Sequence, residues 1–453
     1  MDQRRRPQRP AGLPRRPHLR RGRGLRLPVG GRLGAHRVSG AALLPCAARP
    51  AAAHGWRGGS VTRVFDRRIT GTALHALVIG VGRYPHCGPG SRSAPLRLPD
   101  LPGAARTAVA TARWLVDEQA EEKALPLASL ELLVSADTPV TFDDGHQVHE
   151  VEPATKEAMR QGFDRWYERC DSEDSTALLY FCGHGVALDG LQHALLLEDF
   201  GRAGRNPFED ALDFVRTYEG MRGCAAPVQC YFVDACREFV PFEYLNQLNA
   251  WVPVSPTDRL HRRTTDLVLY STGYGQESYA PREGETYFSR AVRAAFAGAG
   301  ARRGYDGLWR VTTAGLGDGV RELMNHLPHT TAPRHGRADA GWTDVLQQRA
   351  AQDGNPGDAV LRELPGRPKV PFTISCDVHE AQREAELSLL DLGGEQALRH
   401  RPRGDAGPWR GEIEADAYDL LARFPEERWH DERLPREFVV PPSYPRSIPV
   451  RLT

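Results

Sequence analysis

TALLYFCGHGVALDG, residues 176–190, places an apolar run from Ala177 to Phe181 directly ahead of Gly183-His184-Gly185. A run of that length, apolar without alternation, suits a parallel strand covered by helices on both faces. The glycines let the chain turn and let another group approach the backbone. A histidine held at such a turn is either packing or chemistry, and the rest of the chain has to decide between them.

Outward from this stretch, strand-like and helix-like segments alternate. HALVIGV (75–81) and LELLVSAD (130–137) read as strands, with LPDLPGAARTAVATARWLVDEQ between them placing Leu101, Ala104, Ala108 and Leu115 on one helical face. Thr155 is a fair cap for a helix carrying Met159, Phe163, Trp166 and Cys170 at helical spacing. After ALLYF come a helix near 209–221, the strand VQCYFVDA from 228 and the strand DLVLYST from 266. This order predicts an α/β fold with a mainly parallel sheet sandwiched by helices, and such sheets carry their sites at the carboxyl ends of the strands. His184 follows one strand end, and Asp234-Ala235-Cys236-Arg237 closes the next. If the two strands are neighbours, an imidazole and a thiol project from one sheet edge. A thiolate, an activating histidine and backbone N–H groups aimed at an oxyanion are the parts of a cysteine peptidase.

Gly-His-Gly at one strand end, with Asp-Ala-Cys-Arg at the next and Cys236 52 positions after His184, resembles the caspase-like peptidases: caspases, metacaspases and their bacterial relatives. The resemblance runs over roughly 70–325 and includes LPDLPGAARTA and TYFSRAVRAAF. It implies a cysteine endopeptidase with a Cys-His dyad: Cys236 as nucleophile, His184 as general acid/base, and the N–H groups of Gly185 and Cys236 as oxyanion hole. It also implies limited cleavage of a protein partner, in a bacterial stress or defence pathway. The rival expectation is a caspase-like interaction module without catalysis.

In true caspases an Arg in a Ser-Trp-Arg segment recognises aspartate; the matching residues here are Ser278-Tyr279-Ala280, and that Arg is missing. Asp234, two residues before Cys236, matches metacaspases, which cleave after Arg or Lys. A carboxylate in the pocket favours a basic side chain and rejects an acidic one. The alternative is that Asp234 braces the loop behind Cys236, paired with Arg237 or Arg97. Tyr279 is equally a wall of the neighbouring subsite or a loop-packing residue. Arg262-Arg263 in LHRRTTD would suit self-cleavage by a basic-directed pocket.

Metals and cofactors are not expected. Cys182, His184, Cys230 and Cys236 lack zinc-ligand spacing, and Asp137, Asp143 and Asp144 fit a solvated turn better than a calcium loop. Pro85 stands where a dinucleotide fingerprint needs its third glycine, and there is neither a P-loop nor a G-x-S-x-G elbow.

The formal charge of +1 over 453 residues hides an asymmetry: residues 1–60 hold 14 Arg and one acidic residue, the remainder 45 basic and 57 acidic side chains. The acidic body argues against nucleic acid as partner. Residues 1–60, with seven prolines and no apolar periodicity, read as a disordered extension: a basic arm, a targeting peptide around VSGAALLPCAARPAAA, or a stretch joined on by a mistaken start ahead of Val61. No run reaches the roughly 18 apolar residues of a membrane span. Eight Cys without a repeating interval suit a reducing, cytoplasmic setting.

The expected organisation is a peptidase domain over 61–325, a Gly/Pro-rich linker over 326–367 with one short helix at 342–351, and a C-terminal all-β sandwich-like domain over 368–453. In that last region KVPFTISCDV, AELSLLDLGG and WRGEIEADAYDLLARF alternate apolar and polar residues between turn signals. The tail is either an appendage covering an edge of the peptidase domain or a module that docks a protein partner.

Overall fold

The computed structural model describes residues 61–88, 96, 98–189, 192–203, 206–239, 249–255, 265–273, 278, 284–326, 348–401 and 407–453. The expectations for residues 1–60, Arg97, Arg262-Arg263 and Tyr279 lie outside these.

Seven strands form the central sheet: β1 (Arg63–Asp66), β2 (Ala73–Val81), β3 (Leu127–Ser135), β4 (Ser175–Gly183), β5 (Val228–Ala235), β6 (Thr265–Tyr270) and β7 (Ala351–Asn355). Their order is β1-β3-β2-β4-β5-β6-β7, with the inner five parallel and both edge strands antiparallel. All nine residues of β4 are buried, as an inner strand covered on both faces requires.

Alternation along each strand divides the core in two. Leu178, Tyr180 and Cys182 of β4, with Cys230 and Phe232 of β5, join the cluster built with helices α1 (Pro102–Trp114), α4 (Tyr287–Ala294) and α5 (Thr313–His326). Ala177, Leu179 and Phe181 join the opposite cluster with α2 (Lys156–Cys170) and α3 (Phe214–Gly220). Thr155 caps α2 by accepting the Ala158 N–H, and Met159, Phe163, Trp166 and Cys170 are the face it buries. The helix expected over 209–221 is shorter: a 3₁₀ turn at Pro207–Asp210 and a short strand at Ala211–Asp213 precede α3.

The stretch read as a linker is structural over part of its length. Residues 351–355 form β7, paired from Asp266↔Asn355 to Tyr270↔Ala351, and Val360–Leu364 pairs with Trp309–Thr312. Ala-Gln-Asp-Gly-Asn has no apolar alternation, so nothing local marks it as a strand; the open edge of β6 imposes the pairing. Most of the helix expected at 342–351 lies outside the described residues, and Ala351 is strand.

Beyond it, Trp409–Glu414, Lys369–Cys376 and Tyr444–Ile448 form one sheet, and Gln396–His400, Glu386–Leu390, Asp416–Arg423 and Glu432–Val439 form another. Val370, Phe372, Ile374, Leu387, Leu389 and Leu420 fill the core of this region. One pair, Lys369–Cys376 with Tyr444–Ile448, is parallel, so the sandwich is not purely antiparallel.

Candidate active site

β4 and β5 are hydrogen-bonded neighbours whose register ends at Cys182↔Asp234 and Gly183↔Ala235. His184 and Cys236 each follow the last pair. Two residues on from Cys182 and Asp234, they fall on the face covered by α1 and α4. Both line one cavity of about 300 Å³, with Asp100, Arg106, Cys182, Asp234, Ser278 and Thr286 among its walls.

The backbone amide of His184 donates to the Tyr84 hydroxyl at 2.7 Å, and the Tyr84 ring packs against the imidazole with centroids 4.8 Å apart. Nε2 lies 2.8 Å from the Pro99 carbonyl oxygen. A carbonyl only accepts, so Nε2 carries the hydrogen and Nδ1 keeps the lone pair of the neutral ring. Asp100 holds this wall in place by accepting the Tyr84 amide at 2.7 Å. Burial pulls the His184 pKa below its ordinary value, with the Pro99 carbonyl and Asp100 opposing. The imidazole therefore stays an available base into mildly acidic solution.

Cys236 is the partly exposed cysteine among otherwise buried ones in the described residues. The Ser278 amide donates to its sulfur at 3.2 Å, and the sulfur lies 4.0 Å from the Ser278 carbonyl oxygen. Burial and the neighbouring Asp234 drive the adjacent Cys182 thiol far up, so it stays protonated.

Asp234 is 3% exposed and forms the floor. It accepts hydrogen bonds from the hydroxyls of Tyr180 (3.0 Å), Ser278 (3.3 Å) and Thr286, and from the Cys182 thiol at 3.8 Å. These described partners are all neutral. Burial pushes the Asp234 carboxyl above its ordinary range, and the hydroxyls hold it back. Arg237 does not brace it: its guanidinium lies over the Tyr270 ring, 3.8 Å from the centroid. The carboxylate both ties Ser278 and Thr286 to the strand end and faces the cavity.

The glycines around His184 have a tighter reason than the access expected from sequence. A Cβ on Gly183 would stand 2.8 Å from the Tyr84 hydroxyl, and one on Gly185 would stand 2.7 Å from both the Cys236 carbonyl oxygen and His193 Nε2. They bring the His184 segment against the Cys236 segment. Chain beyond His184 and Cys236 keeps that company, since Glu238 and Phe239 pair in parallel with Val186 and Ala187.

Several site residues carry no sequence signal of their own. Tyr84, Pro99, Asp100 and Thr286 arrive from distant segments, and Gln348, inside the expected linker, donates to the Ser271 carbonyl at 3.0 Å and the Ser278 hydroxyl at 3.2 Å. Only the segments LPDLPGAARTA and TYFSRAVRAAF hinted at some of them. The acidic group near 137–144 is a hairpin turn: Asp144 accepts the His146 and Gln147 amides and pairs with His149 at 3.0 Å. Among the described residues no cluster of His, Cys, Asp and Glu is arranged to hold a metal ion.

A sheet of this order, with a histidine and a cysteine at matched ends of its middle strands, defines a caspase-like class. The profile of the caspase domain matches residues 73–317, and the chain belongs to that family. Its structure is similar to caspase-1 from Spodoptera frugiperda, at 12% identity over 68% of this chain and 93% of the other, with a TM-score of 0.36. It is also similar to a structural-genomics protein from Geobacter sulfurreducens, at 15% identity over 65% of this chain and 98% of that one, with a TM-score of 0.39. No curated protein matches the sequence. Among the described residues no helix is long and apolar enough to cross a membrane.

Proposed function

We propose that the chain is a cysteine endopeptidase that cuts a protein substrate after a basic residue. The observation that carries this reading is the shared cavity: His184 and Cys236 line it from the matched ends of β4 and β5, and Asp234 closes its floor.

In this reading His184 Nδ1 takes the thiol proton as the Cys236 sulfur bonds to the scissile carbonyl carbon, and the carbonyl electron pair moves onto oxygen. The N–H groups of Gly185 and Cys236 receive that oxyanion. Collapse breaks the C–N bond, the amine leaves with the proton held by His184, and water releases the acyl group from sulfur by the reverse sequence.

Selection for arginine or lysine is supported by the floor. A buried carboxylate whose described partners are neutral gains most from an arriving cation; of the two charged walls, Asp100 adds to this and Arg106 opposes it. Residues 368–453 are read as a docking module for the protein substrate. Phe438, 69% exposed beside a groove also lined by Leu308 and Val440, is where that docking is testable: Phe438→Asp should slow cleavage of the protein and leave a short peptide unaffected.

The deciding experiment incubates wild type and Cys236→Ala with a peptide library read by mass spectrometry, alongside labelling by an electrophilic peptide. Cleavage after Arg or Lys by wild type alone, with the label on Cys236, supports the proposal. Equal cleavage by Cys236→Ala, or no labelling of Cys236, would reject it in favour of a non-catalytic interaction module; cleavage after Asp or Leu would reject the basic pocket.

A further inference from the structure

His193 is fully buried and lies on Gln192–Leu196, the strand that returns antiparallel to Gly185–Asp189 directly after His184. Its Nε2 is 3.1 Å from the carbonyl oxygen of Cys236. Because that oxygen only accepts, Nε2 carries the hydrogen. Nδ1 meets no hydrogen-bond partner among the described residues. The ring is packed against Phe214 and Tyr270, with centroids 6.3 and 6.0 Å away, so it has one polar task.

We infer that His193 is a positioning residue for the nucleophile, a fixed neutral donor that locks the Cys236 peptide group against the histidine-bearing hairpin. This rests on the peptidase reading above. Burial, and then the Arg237 charge, drive its pKa down to about 3, so it donates as a neutral ring across the working range. Its hairpin is tied at the other end to the dyad as well: the Leu196 amide donates to the His184 carbonyl at 3.0 Å. Cys236 is thus held from two sides, by the β4–β5 register ending at Ala235 and by His193 at its own carbonyl. Sulfur and amide of one residue must meet the attacked carbon and its oxygen together, and a Cys236 backbone fixed on both sides of its Cα, through the Ala235 register before it and its own carbonyl after it, keeps both on target.

The test separates oxyanion alignment from simple thiol exposure. His193→Leu removes the donor, and His193→Gln keeps an amide N–H within reach. Wild type and both variants are assayed for kcat and KM on a peptide substrate, for binding of a peptide aldehyde, which adds to sulfur and forms an oxyanion, and for alkylation by iodoacetamide, which does not.

His193→Leu is expected to lower kcat about 10- to 100-fold, the scale of a displacement of about 1 Å at a reacting group, with KM within about threefold. Aldehyde affinity should fall by a similar factor and iodoacetamide alkylation change less than about threefold; Gln should recover most of the loss. If Leu does not fold, His193→Asn, whose amide is too short to reach the carbonyl, is read in the same way. Unchanged kcat, an equal fall with both probes, or Gln no better than Leu would overturn the assignment. A wild-type chain that neither cleaves peptide nor binds the aldehyde would instead remove the peptidase reading, and this role with it.

Discussion

Replacing Gly185 with alanine adds one methyl group, and the structure says where it goes. The new Cβ would stand 2.7 Å from the Cys236 carbonyl oxygen, 2.7 Å from His193 Nε2 and 2.9 Å from the Ala235 Cβ. None of these is the loose end of a flexible side chain: one is backbone of Cys236, one a fully buried ring, one the last paired residue of β5. Ordinary contact begins near 3.5 Å, so the segments must part by roughly half an ångström or more. Overpacking of this kind costs about 1–3 kcal/mol of stability. The larger effect falls on turnover, since a displacement of about 1 Å at a reacting group costs on the order of a hundredfold. Gly185→Ala should therefore lose about 10- to 100-fold in kcat while still unfolding cooperatively in urea. Gly88→Ala, where an added Cβ meets nothing within 4 Å, serves as the neutral control. A Gly185→Ala enzyme within threefold of wild-type kcat would refute the close approach as the reason for the glycine.

Asp234→Asn keeps a polar side chain of similar shape but removes the charge under the cavity, so kcat/KM for basic substrates should drop about 10- to 100-fold relative to neutral ones, measured on matched peptides. Tyr84→Phe leaves the His184 amide without the acceptor it has at 2.7 Å; urea melts should show a loss of about 1–3 kcal/mol, and an unchanged midpoint would discount that bond. Acidification should weaken the fold through His193. Its folded pKa of about 3 lies below the unfolded value near 6.5, so the unfolded chain binds the extra proton, and the stability present above pH 6.5 is lost as pH falls toward 3. The cost is roughly 1.4 kcal/mol per pH unit in that window, and the difference between wild type and His193→Gln in urea melts at pH 7 and pH 5 isolates it. Removing residues 368–453 should destabilise the remainder, because Leu364 and Trp309 share a buried cluster with Val370 and Phe372.

The inner strands and the placing of His184 and Cys236 at successive strand ends were legible because their signals are local. A buried parallel strand has to be apolar throughout, so ALLYF and VQCYFVDA announce themselves, and the order Gly-His-Gly then Asp-Ala-Cys-Arg places the two reactive residues at successive strand ends. Helix α2 was legible for the same reason, through Thr155 and a face of 3.6-residue period. β7 was not. AQDGN is a strand because β6 has an edge to fill, and that edge lies more than eighty residues away in the chain.

The chain's own pattern therefore settles the inner strands, helix α2, and that an imidazole and a thiol follow two successive strand ends. Packing alone settles the remainder: that Gly185 is glycine for the sake of the Cys236 carbonyl, that Pro99 sets the His184 tautomer, that Asp234 sits among hydroxyls, and that His193 donates to the Cys236 carbonyl. Periodicity reports what a residue does for its own element, within a few positions. Contacts across 43 or 85 residues depend on loops and crossovers whose course only the folded chain fixes.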